Sequence, residues 1–328
     1  MESKVLYEFI EKEILPECFK IMATKGESYC YSDDTELLTD AGWFKIKDYV
    51  LKNLPYKILS INPKTLEMEY VSCLYRFELP HNGDMYRFYS RYTDILVTPE
   101  HKVWCRREYR KNDQFKLYVA SNTPYSKAKL LFKVGGGTSF QGTHQDYFIL
   151  KGIEAVTHTS NKQDKKIPID LWIKFMAWYL SEGCYVEETN RPTHYQIVIS
   201  QKKSKEKIKE IDAMLKKLTL ILGCSYHTIA GGFSFQSKQL YSYLTQFGRS
   251  HDKFIPEHIK NLNKEYLEKF VLEYIKGDGN RHKKNIQYVT IYTSSFKMSS
   301  DFQDILIKLG KMFSIQKQKN GIYNIYIT

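Results

Sequence analysis

Two stretches of the chain end in an acid followed by a glycine. FMAWYLSEG spans 175–183 and VLEYIKGDG spans 271–279. Leu171, Phe175, Trp178, Tyr179 and Leu180 in the first, and Phe270, Val271, Tyr274 and Ile275 in the second, recur at helical spacing. The spacing predicts one helix over 171–182 and a second ending near Asp278. Ala177 and Ser181 are small and four residues apart, and Gly277 stands at the position of Ser181. Small residues on a helix face let two backbones approach closely, so Glu182 and Asp278 would emerge together at one end. Gly183 and Gly279 suit helix C-termini, where a positive φ is often needed. Two carboxylates there are unfavourable, because the helix dipole disfavours negative charge and like charges repel. A cation removes both costs. Donors that are all oxygen favour a hard ion, Mg²⁺ or Ca²⁺, over zinc. A metal held by two carboxylates can activate water and stabilise the leaving oxygen in phosphodiester hydrolysis. Either acid alone would read as a solvated helix end, and it is the duplication that points to a site.

A second constellation lies upstream. Cys30 opens CYSDDTELLTDAG, and Thr98-Pro99-Glu100-His101 follows the apolar run 95–97. A thiol can attack the carbonyl before it, here Tyr29, and convert the amide to a thioester. The shift is uphill unless the nitrogen is protonated, and histidine is the natural donor near neutral pH. Cys30 or His101 singly would read as a buried thiol or a surface imidazole. The spacing brings the Thr98 hydroxyl and the His101 ring towards one point.

The elements that must position these groups differ along the chain. MESKVLYEFIEKEIL predicts an amphipathic helical lead within 1–29. From Cys30, short β-rich runs predict strands over 36–39, 57–61, 69–77, 85–89 and 94–97. Turns at Asp40-Ala41-Gly42, Asn62-Pro63 and Asn82-Gly83 separate them. The stretch 109–142 reads as an insertion or long loop, strands resume near 147–150, and 157–166 reads as a linker. An internal repeat follows. Asp164-Lys165-Lys166-Ile167-Pro168 and Asp252-Lys253-Phe254-Ile255-Pro256 each introduce an acid-Gly helix. Strands over 195–200 and 287–293 come next, then helices stopping at Leu222-Gly223 and Leu309-Gly310. From Pro168 onward there are 24 Lys and Arg against 15 acids, a net +9 of the chain's +12, so a polyanion is the expected partner. No apolar run is long enough for a membrane helix, and the start lacks a signal-peptide pattern. Six scattered cysteines without a C-x-x-C pair point to reduced thiols in the host cytoplasm.

The two acid-Gly segments resemble the paired motifs of LAGLIDADG homing endonucleases. The repeat order and the Thr293-Ser294-Ser295 strand end are similar too. The resemblance covers 164–328, with repeats over 164–250 and 251–328. It implies αββαββα, a basic sheet saddle on double-stranded DNA, and a monomeric pseudo-dimer. It also implies Mg²⁺ at Glu182, Gly183, Asp278 and Gly279. Lys202, Lys203 and Lys297 are the candidate DNA-contacting or assisting lysines. Glu273 departs from the motif, which has a small residue there, and is expected to splay the helices or sit at the interface edge.

Cys30 with Asp34-Thr35, and DILVTPEHKVW over 94–104, resemble the N-terminal splicing motifs of inteins, in the Hint fold. That resemblance covers 30–160 and makes 1–29 an extein remnant. The family's closing His-Asn block is missing, since GIYNIYIT reads as an endonuclease strand and His81-Asn82-Gly83 as a hairpin turn. The expected fold is α+β and multidomain. An all-β Hint-like domain, incomplete at its C-terminus and left with unpaired strand edges, precedes a duplicated endonuclease. The expected activity is site-specific double-strand DNA cleavage, without cis-splicing. The alternatives are the N-terminal part of a split intein, partnered by a C-terminal intein fragment, and a DNA-binding module without catalysis.

Overall fold

The computed structural model describes residues 30–62, 65, 68–89, 93–107, 114–123, 130–132, 140–153, 163–187, 195–202, 204–281 and 288–327. The expected helical lead over 1–29 and the candidate Lys203 lie outside the described residues. The chain divides into two compact units. The first takes Met1–Ser60 and Tyr70–Val134, the second Ile61–Glu69 and Gly135–Thr328.

In the first part of the chain β1 (Glu36–Thr39) and β2 (Gly42–Lys45) form a hairpin. The Thr39 hydroxyl closes it, donating to Gly42 O and accepting from Ala41 N. The short helix α1 (Ile46–Leu51) leads to β3 (Ile58–Ile61) and β4 (Met68–Val71), and the sheet order is β2-β1-β3-β4. β5 (Tyr86–Tyr89) and β6 (Asp94–Val97) form an antiparallel pair. A third sheet places β7 (Lys102–Arg107) between β8 (Lys116–Val119) and β9 (Leu130–Phe132). Phe88, Val97, Val103, Cys105 and Ala120 make a small core.

Three expectations are corrected here. The stretch 109–142 is not simply a loop, because it supplies β8 and β9, which pair across β7. The strand expected over 69–77 stops at Val71. Beyond it, Arg76 donates to Asn53 Oδ1 at 2.8 Å and Leu54 O at 2.6 Å and lies over the Tyr49 ring. Arg76 thus anchors that segment where no strand ladder does. His81-Asn82-Gly83 joins no pair of strands, since β4 and β5 lie in different sheets.

From Gly135 onward the second unit opens with β10 (Tyr147–Leu150), which pairs antiparallel with β11 (Lys165–Pro168). The end of the expected linker, Lys165 and Lys166, is therefore strand. Two matching series follow. The first is α2 (Ile169–Glu182), β12 (Gly183–Tyr185), β13 (Gln196–Ser200), α3 (Lys205–Leu222), β14 (Tyr226–Ile229), β15 (Gly232–Gln236) and α4 (Lys238–Leu244). After a short α5 (Glu257–Lys260), the second is α6 (Lys264–Asp278), β16 (Gly279–Arg281), β17 (Val289–Thr293), α7 (Phe296–Lys308), β18 (Phe313–Lys317) and β19 (Tyr323–Ile327). The antiparallel sheets have the same order, β12-β13-β15-β14 and β16-β17-β19-β18. GIYNIYIT contains β19, as expected.

Alternation decides which face each sheet buries. Ile197, Ile199, Phe233 and Phe235 in one sheet, and Ile291 and Ile325 in the other, join a single core with Trp172, Phe175, Leu215, Phe270, Phe302 and Ile305. Helix starts follow capping chemistry. Ser204 accepts from Lys207 N and Ser295 from Met298 N. Gly223 closes α3 at φ 70°. Among the described residues no helix is long and apolar enough to cross a membrane.

Candidate metal centre

The two acid-bearing helices pack against each other. Trp172, Phe175, Met176, Tyr179, Phe270 and Tyr274 are buried around their contact. A Cβ added at Gly277 would collide with Ser181 Oγ and lie 2.6 Å from Ser181 Cβ. Ser181 and Gly277, small residues at matching positions, thus meet where the two helices come close. The Ser181 hydroxyl turns back to donate to Ala177 O at 2.9 Å, which keeps it out of the neighbouring helix.

α2 ends at Glu182 and α6 at Asp278. The glycines that follow do not serve the purpose expected of them. Gly183 has φ −96° and Gly279 φ −134°, both extended. A Cβ at Gly183 would lie 2.6 Å from Tyr179 Cδ2, and one at Gly279 2.6 Å from Ile275 Cα. Glycine is needed because each chain leaves its helix as a strand passing tightly over the last turn.

Asp278 and Glu182 interact electrostatically. Burial, then the Glu182 charge, pushes the Asp278 carboxyl up to about 6, while Lys253 and Lys207 oppose the shift. Lys253 is 7% exposed and donates to Tyr179 O at 2.9 Å, Leu180 O at 3.0 Å and Gly183 O at 2.8 Å. It lies in the segment introducing the second repeat, yet it caps the helix of the first. Burial pushes its ammonium down to about 8, against the charges of Asp278, Cys184 and Glu182. The Gly183 carbonyl thus already accepts from an ammonium group.

Glu273 does not splay the helices. Its Oε1 accepts from Lys276 Nζ at 2.9 Å, and Lys276 also reaches Glu210 on α3 at 2.8 Å. The departure from the motif is absorbed in an ion-pair cluster between α6 and α3.

Cys30, Thr98 and the His101 backbone also come together. Cys30 N donates to Thr98 Oγ1 at 3.1 Å, and Thr98 N donates to Cys30 O at 3.0 Å. His101 N donates to Thr98 O at 3.1 Å, and the His101 ring packs edge-on against Tyr31 at 4.3 Å. Burial pushes the Cys30 thiol up. Cys30, Asp33, Tyr49, Arg76 and Thr98 line a cleft of about 840 Å³.

No family model matches the chain. Among curated proteins it is similar to the ATP-dependent Clp protease proteolytic subunit of Chlamydomonas moewusii, at 22% identity over 302 residues. That match takes in 88% of this chain and 28% of the relative, so the chain spans little more than a quarter of that protein's length. Among solved structures it is similar to I-DmoI in complex with DNA and Mn, with TM-score 0.38, 15% identity and coverage of 49% of this chain and 90% of that one. The homing endonuclease I-WcaI bound to its DNA recognition sequence gives 0.35, 16%, 48% and 75%. The N-terminal LAGLIDADG domain of DUF199/WhiA gives 0.34, 9%, 49% and 75%.

Lys202 lies over Gly231, at the end of the β15 hairpin, and Lys297 lies 6.0 Å from the Phe254 ring, in the first turn of α7. Lys253 and Lys207 are the cations acting on Asp278. Lys253 was visible as the shared lysine of the two D-K-x-I-P openings. Its first-repeat counterpart, Lys165, instead lies in β11, paired with Leu150.

Proposed function

We propose that residues 164–328 form a site-specific, Mg²⁺-dependent endonuclease acting on double-stranded DNA. The observation that carries this reading is the junction of α2 and α6. Two carboxylates meet there at helix C-termini, and burial and mutual repulsion hold the Asp278 carboxyl near 6. The donor set fits a hard divalent ion, because Glu182 and Asp278 offer oxygen and a cation relieves their repulsion. The ion, when bound, supplies water activation and charge stabilisation at a phosphodiester.

The protein's own residues do the rest. Ser181 and Gly277 fix the separation of the helices. Lys253 holds the last turn of α2, and so the backbone of Glu182. Gly183 and Gly279 turn each chain directly from the acid into a sheet. Basic residues supply attraction for phosphate, Lys202 and Lys297 among them.

Glu182→Gln or Asp278→Asn is expected to abolish Mg²⁺-dependent cleavage of a randomised duplex pool while leaving binding largely intact. Calorimetric Mn²⁺ titration should show binding lost in the double variant. Cleavage by Asp278→Asn at the wild-type rate would sink the assignment.

A second reading concerns the first unit, and the Cys30–Thr98 contact favours it. Thr98 Oγ1 sits on the amide nitrogen of the Tyr29–Cys30 bond. In a Hint-type acyl shift the Cys30 sulfur bonds to the Tyr29 carbonyl carbon, the C–N bond breaks, and the nitrogen leaves as an amine after taking up a proton. A raised thiol pKa makes that step slow without an activating partner, such as a C-terminal intein fragment. Dithiothreitol should then release residues 1–29 slowly, and not at all from Cys30→Ala or His101→Ala. Release that persists in Cys30→Ala would identify ordinary proteolysis.

A further inference from the structure

Duplication holds the fold of the two repeats constant, so a difference between equivalent helices points to something other than folding. α3 and α7 are such a pair, each starting at a capping serine, Ser204 and Ser295. Ile211, Met214, Leu215 and Leu218 of α3 lie in the core that Ile197, Ile199, Phe233 and Phe235 of the first sheet also enter. The opposite face of α3 is exposed and carries Lys205, Lys209, Lys216 and Lys217 beside a single acid, Glu206. At roughly 100° per residue the four lysines fall within an arc of roughly 120°, over a length of roughly 18 Å. Among the described residues the ion pairs of α3 run through Glu210, to Lys174 and Lys276, and leave these four lysines out.

The matching positions of α7, counted from its capping serine, are Phe296, Ser300, Ile307 and Lys308. Lys308 is 3% exposed and donates to Lys260 O, Asn261 Oδ1 and Asp304. The repeat fold therefore does not ask for exposed lysines here. Solvation alone does not ask for them either, since a face of mixed sign would serve. The lysines also carry local costs. Lys205 stands in the first turn of α3, where the helix dipole disfavours a cation, and it repels Lys209 at i,i+4. A polyanion relieves both. Residues 205–222 contain no aromatic side chain to stack on the bases of a single strand. They contain no Arg, Asn or Gln, the fork-shaped side chains that read base edges. The apolar face of α3 is buried, and Leu220 alone of its large apolar residues is exposed, so it has no apolar face to place in a lipid surface. A straight row of lysines about as long as five base-pair steps of 3.4 Å fits the phosphate backbone of a duplex.

We infer that the outer face of α3 is a second, sequence-independent contact for duplex DNA, across the core from the sheets, so that one molecule holds two duplex segments at once. The inference rests on the endonuclease reading, which places the substrate duplex on the sheets. Such a chain passes from one segment to the next without first letting go.

The test counts duplexes per chain by sedimentation of the full chain with an excess of a short, labelled, random-sequence DNA duplex. EDTA keeps the DNA intact, and an RNA duplex of equal length forms a parallel arm. Wild type is compared with a variant combining Lys205→Gln, Lys209→Gln, Lys216→Gln and Lys217→Gln. All four side chains are exposed, so the variant keeps its fold, which a urea titration checks. Wild type should bind two DNA duplexes and the variant one, with the affinity of the first step unchanged. The second step in wild type should weaken with salt at a log–log slope of about −3 to −4, as expected for four phosphates. A wild-type chain that takes up one duplex only, or a variant that still takes up two, would overturn the inference and leave the endonuclease reading standing. A second step that prefers the RNA duplex would overturn the assignment to DNA. A wild-type chain that binds no duplex, and cuts none in Mg²⁺, would overturn the endonuclease reading and this inference with it.

Discussion

At Lys253 a buried ammonium group donates to three carbonyls at a helix end. Helix C-termini leave their last carbonyls unsatisfied, and here the place is too buried for water to serve freely. Lys253→Met removes the cost of burying a charge but takes the ammonium donor from Leu180 O and Gly183 O, while Tyr179 O keeps the Gly183 N–H. It also takes a positive charge away from Asp278 and Glu182. The losses outweigh the gain, because each buried acceptor left unsatisfied costs about 1–3 kcal/mol. Lys253→Met is therefore expected to destabilise the second unit by about 2–4 kcal/mol in urea titration. A variant as stable as wild type would show that water replaces the cap. The acids, the small pair and the glycines were legible in the sequence because each is a local pattern. The purpose of the glycines was not. A positive φ and a close approach select the same residue, and only the path of the following strand separates them. Lys253 was legible as part of a repeat but not as a cap, since it serves a helix more than seventy residues away.

Among the elements, long periodic helices were readable and short strands less so. α2 and α6 were expected to end at their acids and do. β8 and β9 hid in a polar stretch, because their partner β7 lies outside it and pairing across such a distance leaves no local pattern. The join of β10, α2 and α5 was equally silent. There the Phe148 ring stacks on Trp172 at 3.9 Å and on His258 at 4.8 Å, and Trp172 Nε1 donates to His258 Nε2 at 3.0 Å. That bond requires a neutral ring acceptor, and burial pushes His258 down to about 4. Between pH 6.5 and 4 the unfolded chain therefore binds the extra proton. Stability from this group is full above pH 6.5 and is lost as pH falls towards 4, by on the order of 3 kcal/mol. Denaturant titrations at pH 7.5 and 4.5 should show the loss, and His258→Phe should remove most of it. An equal pH dependence in His258→Phe would place the titrating group elsewhere.

For the whole molecule, the two units differ in how much apolar material each keeps from water. The second has a continuous core fed by both repeats, with Trp172, Trp178, Phe270 and Phe302 fully buried. The first gathers a core around Phe88, Val97, Val103, Cys105 and Ala120 and leaves Leu74, Tyr75, Phe77 and Leu79 at least 40% exposed. A small core supports little net stability, because burial must offset the entropy of ordering the chain. The duplicated half needs nothing from the first to complete its sheets, since each four-stranded set closes within 183–327. Urea unfolding is therefore expected to show two transitions, the first unit melting earlier. Phe88→Ala should destabilise only the first transition and Phe302→Ala only the second, each by about 3–5 kcal/mol. Limited proteolysis should leave a resistant fragment starting between residues 135 and 163 that still binds duplex DNA. A single transition shifted by both substitutions would mean that the units fold as one. In that case the duplicated half could not be studied apart from the Cys30 unit.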